Sequence, residues 1–517
     1  MEDLRGLREA RAFWVQNRWP EALRSFHRIV RQHPDHLLAL IDASRVLGSM
    51  YHYGRAEALL ARALERGGDR PEIQHLVAQS LRLIRRPRQA QAAFEKLARL
   101  PSPPVDAHLE LALLLERQGC WGKALEQVEA RLRRLAGDPE GLLVQGRLLH
   151  RLGDTPASQR LLREVAGNAK VHWLTRSRAC HELARVCDAA GDYEQAWTAL
   201  GRGKSLLVPH AQPARLHRDR VLPNLDRLAG EAIASRWTRE RATRVGDSFD
   251  GDALENTPSR PTVLLTGLPR TGSTLLEQIL ATHSRVAAGD EWDVFPRLVL
   301  QRLLGPVGLD GITWPMLETL PESRRRRLAQ LYRDRLAAGL GTSIEDRVVV
   351  DKNPSLLPLV PLYKRLLPDS RVLVTLRDPR DTLVSNLMTC FSLNDFSVDF
   401  LSLPDAVART VHDFELGCVL RDWLGNDWLE CRYESLVADV RGTLAPILAA
   451  CGLEWEDAMA RHHAVDGRPP VFAPTGDRAS QPPDRSAVGR WVHYREQLQA
   501  FLEPLHRLSE RLGYPVS

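Results

Sequence analysis

Along the N-terminal part of the chain, a small residue followed four positions later by a bulky apolar one recurs with a fixed long period. The pairs are Ala22/Phe26, Ala56/Leu60, Ala90/Phe94, Ala124/Val128, Ala157/Leu161 and Ala196/Leu200. Their alanines lie 34, 34, 34, 33 and 39 residues apart. Trp19, Tyr53, Trp121 and Tyr193 precede four of them by three positions, and Pro34, Pro71, Pro104 and Pro139 punctuate the ends of several units. Alanine lets paired helices approach closely, and the bulky residue one turn later fills the neighbouring groove. A helical hairpin of this length cannot bury its apolar face alone, so the units are expected to stack into a solenoid.

The period and residue types resemble the tetratricopeptide repeat. The resemblance predicts an all-α solenoid over residues 1–207, with Gly191–Leu207 as an irregular capping unit. From 208 to 260 the pattern loosens into a connecting helix and a linker, the stretch 247–261 being rich in Asp, Gly, Ser and Pro. From Pro261 to the end the texture becomes apolar strand, glycine turn, helix. Thr262–Thr266, Arg347–Val350, Arg371–Leu376 and Trp428–Cys431 read as short buried strands separated by helical stretches, which predicts an α/β domain with a parallel central sheet. Ligands of such sheets bind at the carboxyl ends of the strands.

Three motifs fall at those ends. Val263-Leu-Leu-Thr-Gly267-Leu-Pro-Arg270-Thr271-Gly272-Ser273-Thr274 has the form of a phosphate-binding loop without its lysine. Backbone N–H groups at a helix N-terminus still favour an anion there. Ser273 in the lysine position argues against ordinary ATP or GTP hydrolysis. Next, Lys352 emerges directly after a strand in Val350-Asp-Lys-Asn-Pro354. Last, Arg377 ends a strand and Ser385 lies about two turns into the following helix. Together they suit a second phosphate, since arginine supplies a planar fork and serine a neutral donor. Two anion sites at opposite ends of one cleft suggest a nucleotide phosphorylated at both its 5′ and 3′ positions.

Composition adds limits. A chain of 517 residues, 44% hydrophobic and 26% charged, is of soluble globular type and long enough for two or three domains. The net charge of +6 does not by itself indicate nucleic acid, and the run Arg324–Arg327 reads as a solvated helix face. Seven scattered cysteines without a Cys-x-x-Cys pair fit a reducing compartment and give no zinc site. His462-His463 lacks further ligands at metal spacing. With no apolar leader and no membrane-length apolar run, a cytoplasmic protein without a membrane span is expected.

On these motifs, the region from Pro261 to Gly513 resembles the sulfotransferases that use 3′-phosphoadenosine 5′-phosphosulfate (PAPS). It is more narrowly similar to tyrosylprotein sulfotransferases and to bacterial proteins fusing tetratricopeptide repeats to that domain. The resemblance implies a set of roles. Arg270, Thr271, Gly272, Ser273 and Thr274 match the 5′-phosphosulfate loop, and Arg377 and Ser385 the 3′-phosphate site. Tyr433 in Arg-Tyr-Glu-Ser-Leu matches a nucleotide-contacting tyrosine, and Arg490 in Gly489-Arg-Trp491 a basic nucleotide contact. Gly289-Asp290-Glu291 matches a Gly-Glu-Glu motif in which the second acid takes the acceptor proton, making Glu291 the base ahead of Asp290. Lys352 matches a lysine that neutralises the transferring group.

Two positions depart from the pattern. The serine that precedes a proline by seven residues beside the sulfonate becomes Thr475, counted from Pro482, with Ser480 as the fallback because Arg478 replaces the usual glutamine. A helix cation expected four residues after Ser385 becomes Thr389. The implied reaction moves a sulfonate from PAPS to a hydroxyl, on a protein or peptide recruited by the repeats, with no metal. The catalytic set is Glu291, Lys352, Arg270 and Thr475. The groove of such a solenoid takes a peptide, another protein or a second copy of the chain, so a homodimer is among the expected partners. Nucleic acid is not. The alternatives are a loop-type phosphotransferase, a small-molecule sulfotransferase, and an inactive nucleotide-binding scaffold.

Overall fold

The computed structural model describes residues 2–16, 18–235, 262–340, 344, 346–464 and 481–515. Helices run α1 (Glu2–Val15), α2 (Trp19–Gln32), α3 (Leu37–Ser49), α4 (Tyr53–Gly67), α5 (Pro71–Leu83), α6 (Pro87–Ala98), α7 (Ala107–Arg117), α8 (Trp121–Arg134), α9 (Pro139–Arg151), α10 (Thr155–Gly167), α11 (Trp173–Ala189), α12 (Tyr193–Leu207) and α13 (Gln212–Ala234). The chain divides into two units, Met1–Leu161 with Arg335–Gly341, and Leu162–Asp334 with Thr342–Ser517.

In the first unit the repeat chemistry acts as the sequence predicts. Ala22, Ala56, Ala90 and Ala124 are fully buried, and Phe26, Leu60, Phe94 and Val128 are buried one turn later. Prolines open α5, α6 and α9, where a first-turn residue has no helical N–H bond to lose. Successive hairpins are tied by polar contacts, with Arg11 Nε donating to Asp42 at 2.7 Å and Arg147 to Glu116 at 2.5 Å.

One pair is corrected. Ala157 and Leu161 are only half-buried, whereas Ser158 and Leu162 beside them are at 0% exposure. Ser158 lies 34 residues after Ala124, so the period is kept and serine takes the place of alanine. A search for alanine lands one residue early because serine is nearly as small.

The second unit contains a sheet of five parallel strands in the order β2-β3-β1-β4-β5. They are β1 (Thr262–Gly267), β2 (Val286–Asp290), β3 (Val348–Lys352), β4 (Arg371–Leu376) and β5 (Trp428–Arg432). Four fall on the apolar runs. The edge strand β2 was not predicted, because Val-Ala-Ala-Gly-Asp has one β-branched residue and carries almost no strand signal. Helix α14 (Ser273–Leu280) follows β1, α15 (Pro379–Leu387) follows β4, and α16 (Leu403–Leu424) precedes β5.

Val263, Leu265, Val350 and Leu373 pack against Leu276 and Ile279 of α14 in one core. A second core joins Leu383, Val384 and Leu387 of α15 to Ala196 and Leu200 of α12 and to Trp491 and Tyr494. The last helical pair, α11–α12, therefore shares a core with the helix that carries Ser385. The basic run sits on the helix Glu322–Leu340, where Glu322 holds Arg325 at 2.6 Å and Arg326 at 2.8 Å. No helix among the described residues is long and apolar enough to cross a membrane.

Candidate active site

Each strand delivers one of the singled-out residues at its carboxyl end. Glu291 follows β2, Lys352 ends β3, the loop Leu268–Gly272 follows β1, Arg377 follows β4 and Tyr433 follows β5. Read across the sheet, the order is Glu291, Lys352, the loop, Arg377, Tyr433, over about 19 Å at the usual strand spacing. The chain leaves β1 on one side and returns on the other with β4, so the loop sits at a topological switch point.

The loop needs its glycines. Gly267 has φ 132°, and a Cβ there would lie 2.7 Å from the Thr375 carbonyl oxygen. Gly272 has φ 100°, and its Cβ would meet the Tyr433 ring at 2.7 Å. Thr271 is buried and ties the loop down, its Oγ1 donating to the Leu268 carbonyl at 2.7 Å and lying 2.6 Å from Thr375 Oγ1. Gly272 caps α14 without a side-chain hydrogen bond, and Ser273 and Thr274 begin the helix as buried residues. That leaves a first turn whose amides converge on the loop.

Among the described residues of this unit, two non-glycine residues have left-handed backbone, Arg270 with φ 75° and Glu291 with φ 48°. Such conformations are costly for side chains with a Cβ, and they concentrate at functional sites.

On the β2–β3 side, Lys352 is fully buried between two acids. Its Nζ is 3.0 Å from Glu291 Oε1 and 3.6 Å from Glu277 Oε2. The Glu291 amide donates to the Lys352 carbonyl at 2.9 Å, which pins the turn after β2 to the end of β3. Glu277 was missed by the sequence reading. Its signal is its position on α14, four residues after Ser273 and so on the same helix face. Behind Lys352, Tyr332 donates to buried Asp351 at 2.5 Å, and burial together with that carboxylate pushes the Tyr332 hydroxyl well above its ordinary pKa.

On the β4–β5 side, Arg270 Nε donates to Ser385 Oγ at 3.2 Å, and Arg377 Nη1 donates to the Arg270 carbonyl at 3.2 Å. Arg377 Nη2 donates to the Ala487 carbonyl, and the guanidinium lies 5.0 Å above the Tyr433 ring. The loop arginine and the Arg377–Ser385 pair thus form one cluster rather than the two separated ends expected from the sequence. Asp381, 3.8 Å from Arg377, accepts from the amides of Gly489 and Trp491 at 2.7 and 2.8 Å. Burial raises the Asp381 pKa, and Arg377 opposes that shift.

Arg490 is held by Asp188 of α11. Thr475, with its fallback Ser480, lies outside the described residues, as does Arg478.

Residues 261–457 match the profile of the sulfotransferase family, and residues 15–80 and 75–139 match tetratricopeptide-repeat profiles. An uncharacterised protein of Aquifex aeolicus (strain VF5) is 25% identical over 350 residues, which cover 66% of this chain and 43% of that protein. Protein-tyrosine sulfotransferase A of Caenorhabditis elegans is 24% identical over 273 residues, covering 49% of this chain and 67% of the relative. The chain thus spans less than half the length of the first relative and about two thirds of the second. The sulfotransferase domain of the Synechococcus PCC 7002 olefin synthase is 22% identical, covers 52% of this chain and 99% of that one, and has a TM-score of 0.37. The chain therefore combines tetratricopeptide repeats with a domain of the sulfotransferase family and is similar to protein-tyrosine sulfotransferases.

Proposed function

We propose that this chain transfers a sulfonate group from PAPS to a hydroxyl, with protein tyrosine as the acceptor class. The observation that carries the reading is the line of strand ends. A lysine-bound carboxylate, a lysine-free anion loop and two arginines stand side by side in one crevice.

The residues suit the donor. Gly267 and Gly272 let the loop lie against Thr375 and Tyr433, where a Cβ would clash, and so keep its backbone amides at the strand ends. The loop amides with Arg270, Ser273 and Thr274 would hold the 5′ end, and Arg377, Ser385 and Tyr433 the 3′-phosphate and nucleoside, with Arg490 as a further contact. PAPS supplies an activated sulfonate on a good leaving group. Glu291, partly exposed and anchored by Lys352, takes the proton of the acceptor hydroxyl. The hydroxyl oxygen bonds to sulfur as the bond from sulfur to the 5′-phosphate oxygen breaks, and the electron pair stays with that oxygen. Lys352 and Arg270 stabilise the charge gathered there, Thr475 being the neutral donor proposed beside them. Lysine placed on a neighbouring strand does the work that the loop lysine does in nucleotide triphosphatases. A tyrosine acceptor is supported by the names of the similar proteins, and the repeats suit capture of a protein that bears it.

The test uses 35S-labelled PAPS with tyrosine peptides and whole-cell protein, against γ-32P-ATP as the rival donor. Label transfer from PAPS to protein, lost in Glu291→Gln and Lys352→Ala, supports the reading. Transfer from ATP alone, or turnover retained in both variants, overturns it.

A further inference from the structure

The segment from Gly489 to Tyr494 is gripped twice. Asp381 of α15 fixes its main chain through the amides of Gly489 and Trp491. Asp188, near the end of α11, takes its side chains. One carboxylate oxygen accepts from Arg490 Nη2 and the other from the Tyr494 hydroxyl at 2.5 Å. Tyr193 of α12 stacks on His493 with ring centroids 4.3 Å apart and planes 9° from parallel. Asp188 is 9% exposed and Arg490 26% exposed, so the pair sits at the rim of the core and not in bulk water.

The stoichiometry of donors is informative. Asp188 spends both oxygens on this segment, while Arg490 gives it a single nitrogen. Among the described residues Asp188 is the only hydrogen-bond acceptor of Arg490, which leaves the Nε and Nη1 donors of a five-donor fork for something else. The chain two residues before this segment touches the anion cluster, because Ala487 accepts from Arg377, and Asp381 lies one turn before Ser385 on α15. An acid next to an anion site weakens it by charge alone. Its gain must come from aim. An arginine fixed before the ligand arrives has little rotamer freedom left to lose on binding.

We propose that Asp188 is a positioning residue of the donor site, fixing Arg490 so that its remaining N–H groups face the donor's phosphate beside Arg377 and Ser385. The last helical pair is then part of the nucleotide site. This rests on the PAPS reading given above.

Calorimetric titration of the full chain with adenosine 3′,5′-bisphosphate separates the two. Wild type binds, and Asp188→Asn weakens binding about tenfold, the worth of one charged hydrogen bond. In turnover the donor KM rises similarly and kcat stays within about twofold. Arg490→Gln gives a comparable loss, and the double variant is no weaker than Arg490→Gln alone, because Asp188 acts through Arg490. Tyr494→Phe leaves the arginine pair in place and lowers the melting temperature without changing affinity. Asp188→Glu keeps the charge but displaces it, and gives an intermediate affinity even if Asp188→Asn does not fold. Wild-type affinity in Asp188→Asn or Asp188→Glu, or additive losses in the double variant, overturns the proposal and leaves the donor reading standing. A folded wild type that does not bind the bisphosphate overturns both.

Discussion

The two sides of the crevice treat positive charge differently. On the β2–β3 side, Lys352 is sealed between Glu291 at 3.0 Å and Glu277 at 3.6 Å, so its charge is answered within the protein. On the β4–β5 side, Arg270 and Arg377 meet a serine hydroxyl, two carbonyls and an aromatic face, with Asp381 set back at 3.8 Å. The Arg377 guanidinium, whose near partners are mostly neutral, keeps charge for a ligand. The difference teaches a division of labour, proton handling on one side and anion holding on the other, with the loop between them.

Substitutions sharpen that contrast. The largest effect is expected from Lys352→Ala. It lowers kcat by roughly a thousandfold or more, and it destabilises the fold by about 3 kcal/mol because two acids are left around a vacated cation. Single-turnover kinetics and a denaturant melt check both parts. Glu291→Gln follows, with kcat down by about 10²–10⁴ and donor KM nearly unchanged. A large rise in donor KM instead would move Glu291 to the binding side and break the division.

Arg377→Ala is expected to act the other way, weakening bisphosphate binding about 10–100-fold with a smaller effect on kcat once the donor saturates. Ser385→Ala costs about fivefold in the same titration, since one neutral hydroxyl is lost.

The smallest effect concerns a lysine that pairs with no acid among the described residues. Lys204 of α12 is buried, donates to the Phe400 carbonyl at 2.5 Å, and is pulled by burial down to a pKa of about 7 from 10.5. Between those values the unfolded chain binds a proton that the native chain has released, so this group makes native stability rise with pH. Below about pH 7 both states are protonated and the full cost of burying the charge is paid. Lys204→Met should therefore raise the melting temperature by a few degrees at pH 6 and progressively less toward pH 10. A gain independent of pH would show that Lys204 is not buried as a charge, and would blunt its use as the acid-free counterpart of Lys352.

Much of this was legible in the chain. The 34-residue period located the buried alanines, and the apolar runs located β1, β3, β4 and β5. Those signals are local and periodic. The singled-out residues fell at strand ends because a glycine turn or a helix start follows each apolar run. What escaped was non-local. Edge strand β2 depends on pairing with β3, which its own alanines and glycine do not encode. Glu277 joins the site only because α14 folds back beside β3. Asp188 and Arg490 are 302 residues apart and meet through the shared core of α12 and α15. Ser158 hid behind a neighbour of the expected type.

The left-handed backbone at Arg270 has a consequence for how this sequence changes under selection. A glycine there would relieve about 1 kcal/mol of conformational cost, so a population screened for heat resistance alone should drift away from arginine. One screened for turnover should keep it. Position 270 thus works as a meter of selection, and the ratio of arginine to glycine among survivors would report how strongly activity, as distinct from folding, has been under pressure.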